Sequence, residues 1–121
     1  MIRKLEDLPE QVREGIRGGR GQALAVDYLA HGEMAGIAMA SRITLEPGAS
    51  IGDHAHPDTE ELYLVLEGSG TGRLDGESFP VSPGDAWVCT RGHAHGLVNG
   101  GPDPLVFFAV LTEAAEQDAE P

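Results

Sequence analysis

The sequence predicts a small all-β barrel carrying one short N-terminal helix, and three observations predict it. First, 121 residues with 40% hydrophobic content suit one domain with one core, without need of disulfides. Second, everything after Gly21 divides into short runs of about five to ten residues rich in β-branched and apolar side chains. Third, those runs are separated by strong turn signals, and no later segment holds a helical period.

The helix is expected from Asp7 to Ile16. Asp7 is an N-cap candidate, Leu8, Val12 and Ile16 recur at spacings of four, and Gly18-Gly19 closes the segment. Three regions follow: an N-terminal segment 1–20 with the helix, a barrel 21–112, and an acidic tail 113–121. The tail carries four acidic residues among alanines, the composition of a solvated end rather than a binding site. Strands are predicted at 22–30, 35–46, 50–55, 61–67, 70–75, 77–81, 86–90, 94–99 and 104–112. The turns between them include Pro47-Gly48, Gly68-Ser69-Gly70, Pro83-Gly84 and Asn99-Gly100-Gly101-Pro102. Asp75-Gly76 is the strongest hairpin signal, because a type I′ turn needs positive φ at both central residues.

One strand constrains the assembly. Along 61–67, Glu61, Tyr63 and Val65 fall on one face and Leu62, Leu64 and Leu66 on the other. Both faces are apolar, whereas an antiparallel strand with one solvated side should alternate with polar residues. The leucine face therefore needs a cover, either the N-terminal segment or a second subunit, and a homodimer is the favoured expectation.

Composition excludes several partners. A formal net charge of -12 repels nucleic acid and anionic membranes alike. No run approaches the ~20 apolar residues of a membrane span, and Met1-Ile2-Arg3-Lys4-Leu5-Glu6 lacks the apolar core of a signal peptide. Cys89 is the only cysteine, set in the apolar run Ala86-Trp87-Val88-Cys89, so no internal disulfide can form and a buried, inert thiol is expected. A cytoplasmic location is the matching expectation.

The chemistry concentrates in a histidine and glutamate constellation. His54-Ala55-His56 places two imidazoles on one face of an extended backbone, about 7 Å apart along it. Glu61 opens the next strand after the Pro57-Asp58-Thr59 turn, on the face of Tyr63 and Val65, while Glu60 points the other way. His95, on a strand far downstream, supplies a third imidazole. Three nitrogens and one carboxylate oxygen suit a divalent first-row ion and leave positions of an octahedron open for water, oxygen or substrate.

The segment from Gly48 to Gly68, GASIGDHAHPDTEELYLVLEG, resembles the first motif of the cupin family, G-x5-H-x-H-x(3,4)-E-x6-G, with Glu61 as its acid. Glu60 would leave seven residues before Gly68, so spacing selects the glutamate that strand parity selects. The second motif, G-x5-P-x-G-x2-H-x3-N, is met by Gly84, Gly92, His95 and Asn99, with Thr90 in place of the usual proline. The two motifs span 48–99. The resemblance implies a jelly-roll β-barrel with the metal inside, held by His54, His56, Glu61 and His95, in a chain that is commonly dimeric. One divalent transition metal ion per chain is expected, Mn or Fe by preference, with Ni, Cu, Zn and Co also compatible.

Around the ligands, Tyr63 on the inward face and His93 in the Thr90-to-Ala94 turn are the candidate catalytic side chains, the first as a hydrogen-bonding group and the second as a rim acid or base. Ser41, Ile43, Phe107 and Ala109 are expected to line the pocket. Arg42, Arg73 and Arg91 are expected at the surface, and His31 in a loop away from the site. A mononuclear metalloenzyme acting on a small organic molecule by dioxygenation or by lyase/decarboxylase cleavage is the leading functional expectation. A metal-dependent sugar isomerase or epimerase ranks second, for want of polar groups to hold hydroxyls. A non-catalytic small-molecule binder is the third class.

Overall fold

A computed structural model describes residues 1–113, and among them the chain forms ten β-strands and two 3-10 turns. The strands are β1 (Glu10–Glu14), β2 (Gln22–Leu29), β3 (Ile37–Leu45), β4 (Ser50–Ala55), β5 (Thr59–Glu67), β6 (Gly70–Leu74), β7 (Glu77–Val81), β8 (Ala86–Cys89), β9 (Ala94–Val98) and β10 (Leu105–Glu113). Two antiparallel sheets result, one ordered β1-β2-β3-β10-β5-β8 and the other β4-β9-β6-β7, the layers of a jelly-roll barrel. All nine strands expected after Gly21 form, each end within two residues of its predicted place. At the β6–β7 hairpin, Asp75 and Gly76 both take positive φ, 49° and 82°, as a type I′ turn requires.

The N-terminal helix is corrected. Residues Glu10–Glu14 instead pair antiparallel with β2, in register from Glu10↔Val26 to Glu14↔Gln22, and only 3-10 turns stand at Leu5–Asp7 and Ile16–Gly18. A helix of ten residues with one apolar side chain per turn has too little to bury and is marginal by itself, while the edge of β2 offers a full row of backbone hydrogen bonds. Left-handed backbone at Gly15, Arg17 and Gly18 reverses the chain between the two strands. The acidic tail expected at 113–121 lies outside the described residues beyond Glu113, which ends β10.

The core fills the space between the sheets with Leu45, Val65, Leu97, Leu105 and Phe107, each almost fully buried. Tyr63 and Phe79 both meet Trp87 edge-on, centroids 5.3 and 5.5 Å apart. Cys89 is wholly buried, and burial pushes its thiol up to about 11.

Outside the six-stranded sheet, Leu62, Leu64 and Leu66 of β5 lie beside Val88 of β8 and Val106, Phe108 and Val110 of β10. Leu66 and Val88 are 37% and 52% exposed. The N-terminal strand does not cover them, since β2, β3 and β10 stand between β1 and β5. Among the described residues, no helix is long and apolar enough to cross a membrane.

Candidate metal centre

Antiparallel pairing brings the four expected ligands together. His54 on β4 and His95 on β9 are direct register partners. His56, just past the end of β4, is pinned by its backbone, which donates to the His93 carbonyl at 3.0 Å and accepts from the Gly92 amide at 2.8 Å. Glu61 enters from the other sheet, on β5 opposite Cys89. The three imidazole centroids form a nearly equilateral triangle with sides of 4.7 to 4.8 Å.

The donor atoms fit a single ion. His56 Nε2 lies 3.0 Å from His95 Nε2, and Glu61 Oε1 lies 3.2 and 3.0 Å from these two nitrogens. One ligand atom from each of His54, His56, Glu61 and His95 falls within 4.8 Å of the others. Bonds of ~2.1 Å at right angles would set neighbouring ligand atoms about 3.0 Å apart, the spacing of these three donors. Glu61 is 7% exposed, and a carboxylate so buried is costly unless a positive charge offsets it, which an ion at the centre of these donors would supply.

Hydrogen bonds select which imidazole nitrogen faces inward. His54 Nδ1 bonds the Gly52 carbonyl at 2.8 Å, and His56 Nδ1 bonds the Thr59 hydroxyl at 2.7 Å, which leaves the Nε2 atoms for coordination. Burial lowers the pKa of both rings, favouring the neutral form that a metal requires. His95 is 1% exposed, and Tyr63 stacks on it with centroids 4.4 Å apart and planes 19° from parallel. Burial, together with the nearby Glu61 carboxylate, raises the Tyr63 phenol well above its ordinary value. Glu60 points away, as parity requires, and its carboxylate accepts from the Arg91 amide at 3.0 Å.

A cavity of about 330 Å³ opens onto His54, His56 and Glu61. Ile16, Met39, Ile43, Ile51 and Leu111 give it apolar walls, and Tyr63, Arg13, Arg17 and a hydrogen-bonded Ser41–Asp27 pair supply its polar groups. Of the four residues expected to line it, Ser41 and Ile43 do, while Phe107 and Ala109 are fully buried in the core. Arg42 and Arg73 are at the surface as expected, paired with Glu67 and Asp53. His31 pairs with Glu113 away from the site. His93 turns outward, its Nδ1 2.6 Å from Asp75 Oδ2, so only its backbone carbonyl bears on the ligand set.

Three polar cavity residues escaped the sequence reading. Asp27 was legible, since it shares strand parity with the inward Ala23 and Ala25. Arg13 and Arg17 were hidden by the helical reading of the segment that carries them.

Comparison with known proteins agrees with this geometry. A family model described as Cupin domain matches residues 41–111. The oxalate-binding protein of Thermotoga maritima is 32% identical over 112 residues, 92% of this chain and 92% of that protein. A crystal structure from Thermotoga maritima, described as a predicted oxalate decarboxylase, superposes with a TM-score of 0.91 at 28% identity, covering 94% of this chain and 100% of that one. A glucose-6-phosphate isomerase from Thermococcus kodakarensis is 33% identical over 70 residues, 54% of this chain and 37% of that enzyme. With both motifs, the jelly-roll barrel and the family match in hand, the chain belongs to the cupin domain family.

Proposed function

We propose that this cupin is a mononuclear metalloenzyme of the lyase/decarboxylase or dioxygenase type, acting on a small organic molecule at His54, His56, Glu61 and His95. The observation that carries the reading is the convergence of three imidazoles and one carboxylate at the wall of a cavity of ligand size. The right-angle spacing of the donors favours a six-coordinate ion, hence manganese or iron. Such an ion, when bound, supplies Lewis-acid polarisation of substrate oxygens and, for either metal, redox chemistry.

The chain's own residues do the rest. Tyr63 fixes the His95 ring by stacking and stands near the Glu61 carboxylate, so it is a positioning residue. The apolar walls exclude water around the substrate. Asp27, hydrogen-bonded by Ser41, is the carboxylate on the cavity wall outside the ligand set and the group able to exchange a proton with substrate there. The relative named as oxalate-binding supports a small oxygen-rich ligand that can offer two adjacent oxygens.

Asp27 also favours a second reading, a redox-neutral sugar isomerase or epimerase, because that chemistry needs a base beside the metal and hydroxyl-binding groups. We further infer a homodimer, formed through the leucine face of β5 and its neighbours on β8 and β10.

The test is anaerobic reconstitution with Mn, Fe, Ni, Cu, Zn and Co in turn. Close to one equivalent of a bound ion, lost in His54→Ala with the barrel still folded, is expected. Retention below a tenth of an equivalent of every ion would defeat the reading. Oxygen uptake by the Fe(II) form separates a dioxygenase from a lyase, and anaerobic sugar turnover identifies the isomerase.

A further inference from the structure

The cavity has a cationic mouth that the metal centre does not explain. Arg13 and Arg17 both line it, and both are exposed. Arg13 is set by register: it stands opposite the inward Ala23, so it shares the inner face of the sheet. Its guanidinium bonds Gln11 at 2.6 Å, and neither arginine forms an ion pair among the described residues, whereas Arg3, Arg42 and Arg73 all do.

Arg17 is the more telling of the two. Its φ is 54°, left-handed backbone that glycine adopts without strain, in a turn that holds glycine at 15, 18, 19 and 21. A side chain kept at such a position points to work done by that side chain. The turn is also anchored to the metal centre. A Cβ added at Gly52 would lie 2.2 Å from the Arg17 carbonyl oxygen, and Gly52 is the residue whose own carbonyl orients His54.

We infer that Arg17, assisted by Arg13, selects a substrate with a second anionic group, a carboxylate or phosphoryl, at the end remote from the oxygens that face the metal ligands. In a chain of net charge -12 the long-range field repels anions, so an anionic substrate needs a local pair of cations at the entrance. Inside, Asp27 and Glu61 present carboxylates, which directs the remote anionic end outward to the guanidinium forks. The cavity volume of about 330 Å³ admits a molecule of this kind.

This inference rests on the metal-centre reading, and the test separates the two. Manganese-loaded full-length protein is titrated calorimetrically with 2-oxoglutarate against 2-oxopentanoate, and with 3-phosphoglycerate against glycerate. Each pair shares a chelating head and differs in the terminal anion. Preference of about tenfold or more for one charged member is expected, weakening with added salt and falling to within about threefold in Arg17→Gln. Arg13→Gln gives a smaller loss, and Arg42→Gln, which removes the same charge from the outer surface, leaves the preference intact. Comparable affinity within both pairs, or equal losses in Arg42→Gln and Arg17→Gln, overturns the inference while the metal reading stands. Absence of bound manganese or any other ion defeats both. Should Arg17→Gln fail to fold, a preference unchanged in Arg13→Gln and in Arg17→Lys at high salt counts against the assignment.

Discussion

The phenol of Tyr63 lies flat on the imidazole of His95, 4.4 Å away and 19° from parallel, and burial and, after it, the nearby Glu61 carboxylate raise the pKa of the same phenol. One residue therefore bears on two of the four ligands, its face on one and its hydroxyl end near the other. Tyr63→Phe keeps the face and removes the tip. Metal affinity should fall about 10-fold, within the range found for partners that orient ligands, with thermal stability almost unchanged. Tyr63→Ala should lose both functions and cost about 3–5 kcal/mol from the cavity it leaves in the core. Competition with a chromogenic chelator and thermal melts of both variants measure the difference.

The two adjacent glutamates make a sharper control. Glu61 lies 3.0 and 3.2 Å from two ligand nitrogens, while Glu60 faces away to accept from the Arg91 amide. Glu61→Gln should reduce bound metal by at least tenfold, because a neutral amide oxygen replaces an anionic donor. Glu60→Gln should leave metal content unchanged. Elemental analysis of the two purified variants decides, and equal loss in both would contradict the assignment of the acid.

That choice of glutamate was legible in the sequence because two independent regularities, motif spacing and the two-residue period of a strand, apply to the same position. The nine strands after Gly21 were legible for a similar reason: Asp75-Gly76 and the other turns impose backbone reversals that few residues allow. What lay beyond the sequence was tertiary. Whether the segment that carries Leu8, Val12 and Ile16 forms a helix or an edge strand around Val12 depends on the free edge of β2, which no local pattern encodes. The left-handed Arg17 depends in turn on the close seat of its turn against Gly52, a contact between segments some 35 residues apart. The cationic mouth was thus invisible until the strand was in place, although the metal ligands beneath it were not.

A pH effect is expected at the edge of the molecule, away from the metal. Glu33 accepts from Arg3 and from the Ala30 amide, and these bonds lower its pKa from 4.5 to about 2. A depressed carboxyl stabilises the folded arrangement above its unfolded value, and that contribution is lost as pH falls from about 4.5 toward 2. Arg3 also donates to the Tyr28 carbonyl, so protonation of Glu33 should loosen the first residues from the end of β2. Hydrogen exchange at the Ala30 amide, corrected for intrinsic rate, should rise across this window and already be raised at pH 7 in Glu33→Gln. Protection that does not change with pH would remove Glu33 from this role.

The inferred dimer carries its own prediction. Val88 and Leu66 are the exposed ends of an apolar face that also includes Leu62, Leu64 and Val110. Val88→Glu should place a charge within any interface formed there and shift the protein to monomers in sedimentation equilibrium, with bound metal retained because the ligands lie on the inner face. The wild-type chain should sediment as a dimer at micromolar concentration. A monomeric wild type would show that the face is solvated.

Gly52 joins the metal centre to the cationic mouth, and a single methyl group tests that connection. A Cβ there would meet the Arg17 carbonyl oxygen at 2.2 Å, the Gly19 amide nitrogen at 2.9 Å and the Gly18 carbonyl carbon at 3.0 Å. All three are backbone atoms, so no side-chain rotation relieves the clash and the turn from Gly15 to Gly21 must lift. Gly52→Ala should cost about 1–3 kcal/mol of stability, as overpacking does. It should also displace Arg17 while leaving the Gly52 carbonyl that orients His54. The expected result is metal content near that of the wild type, a lowered melting temperature, and loss of the charged-over-neutral ligand preference. Retention of that preference with the melting temperature lowered would mean that Arg17 keeps its place without the seat on β4.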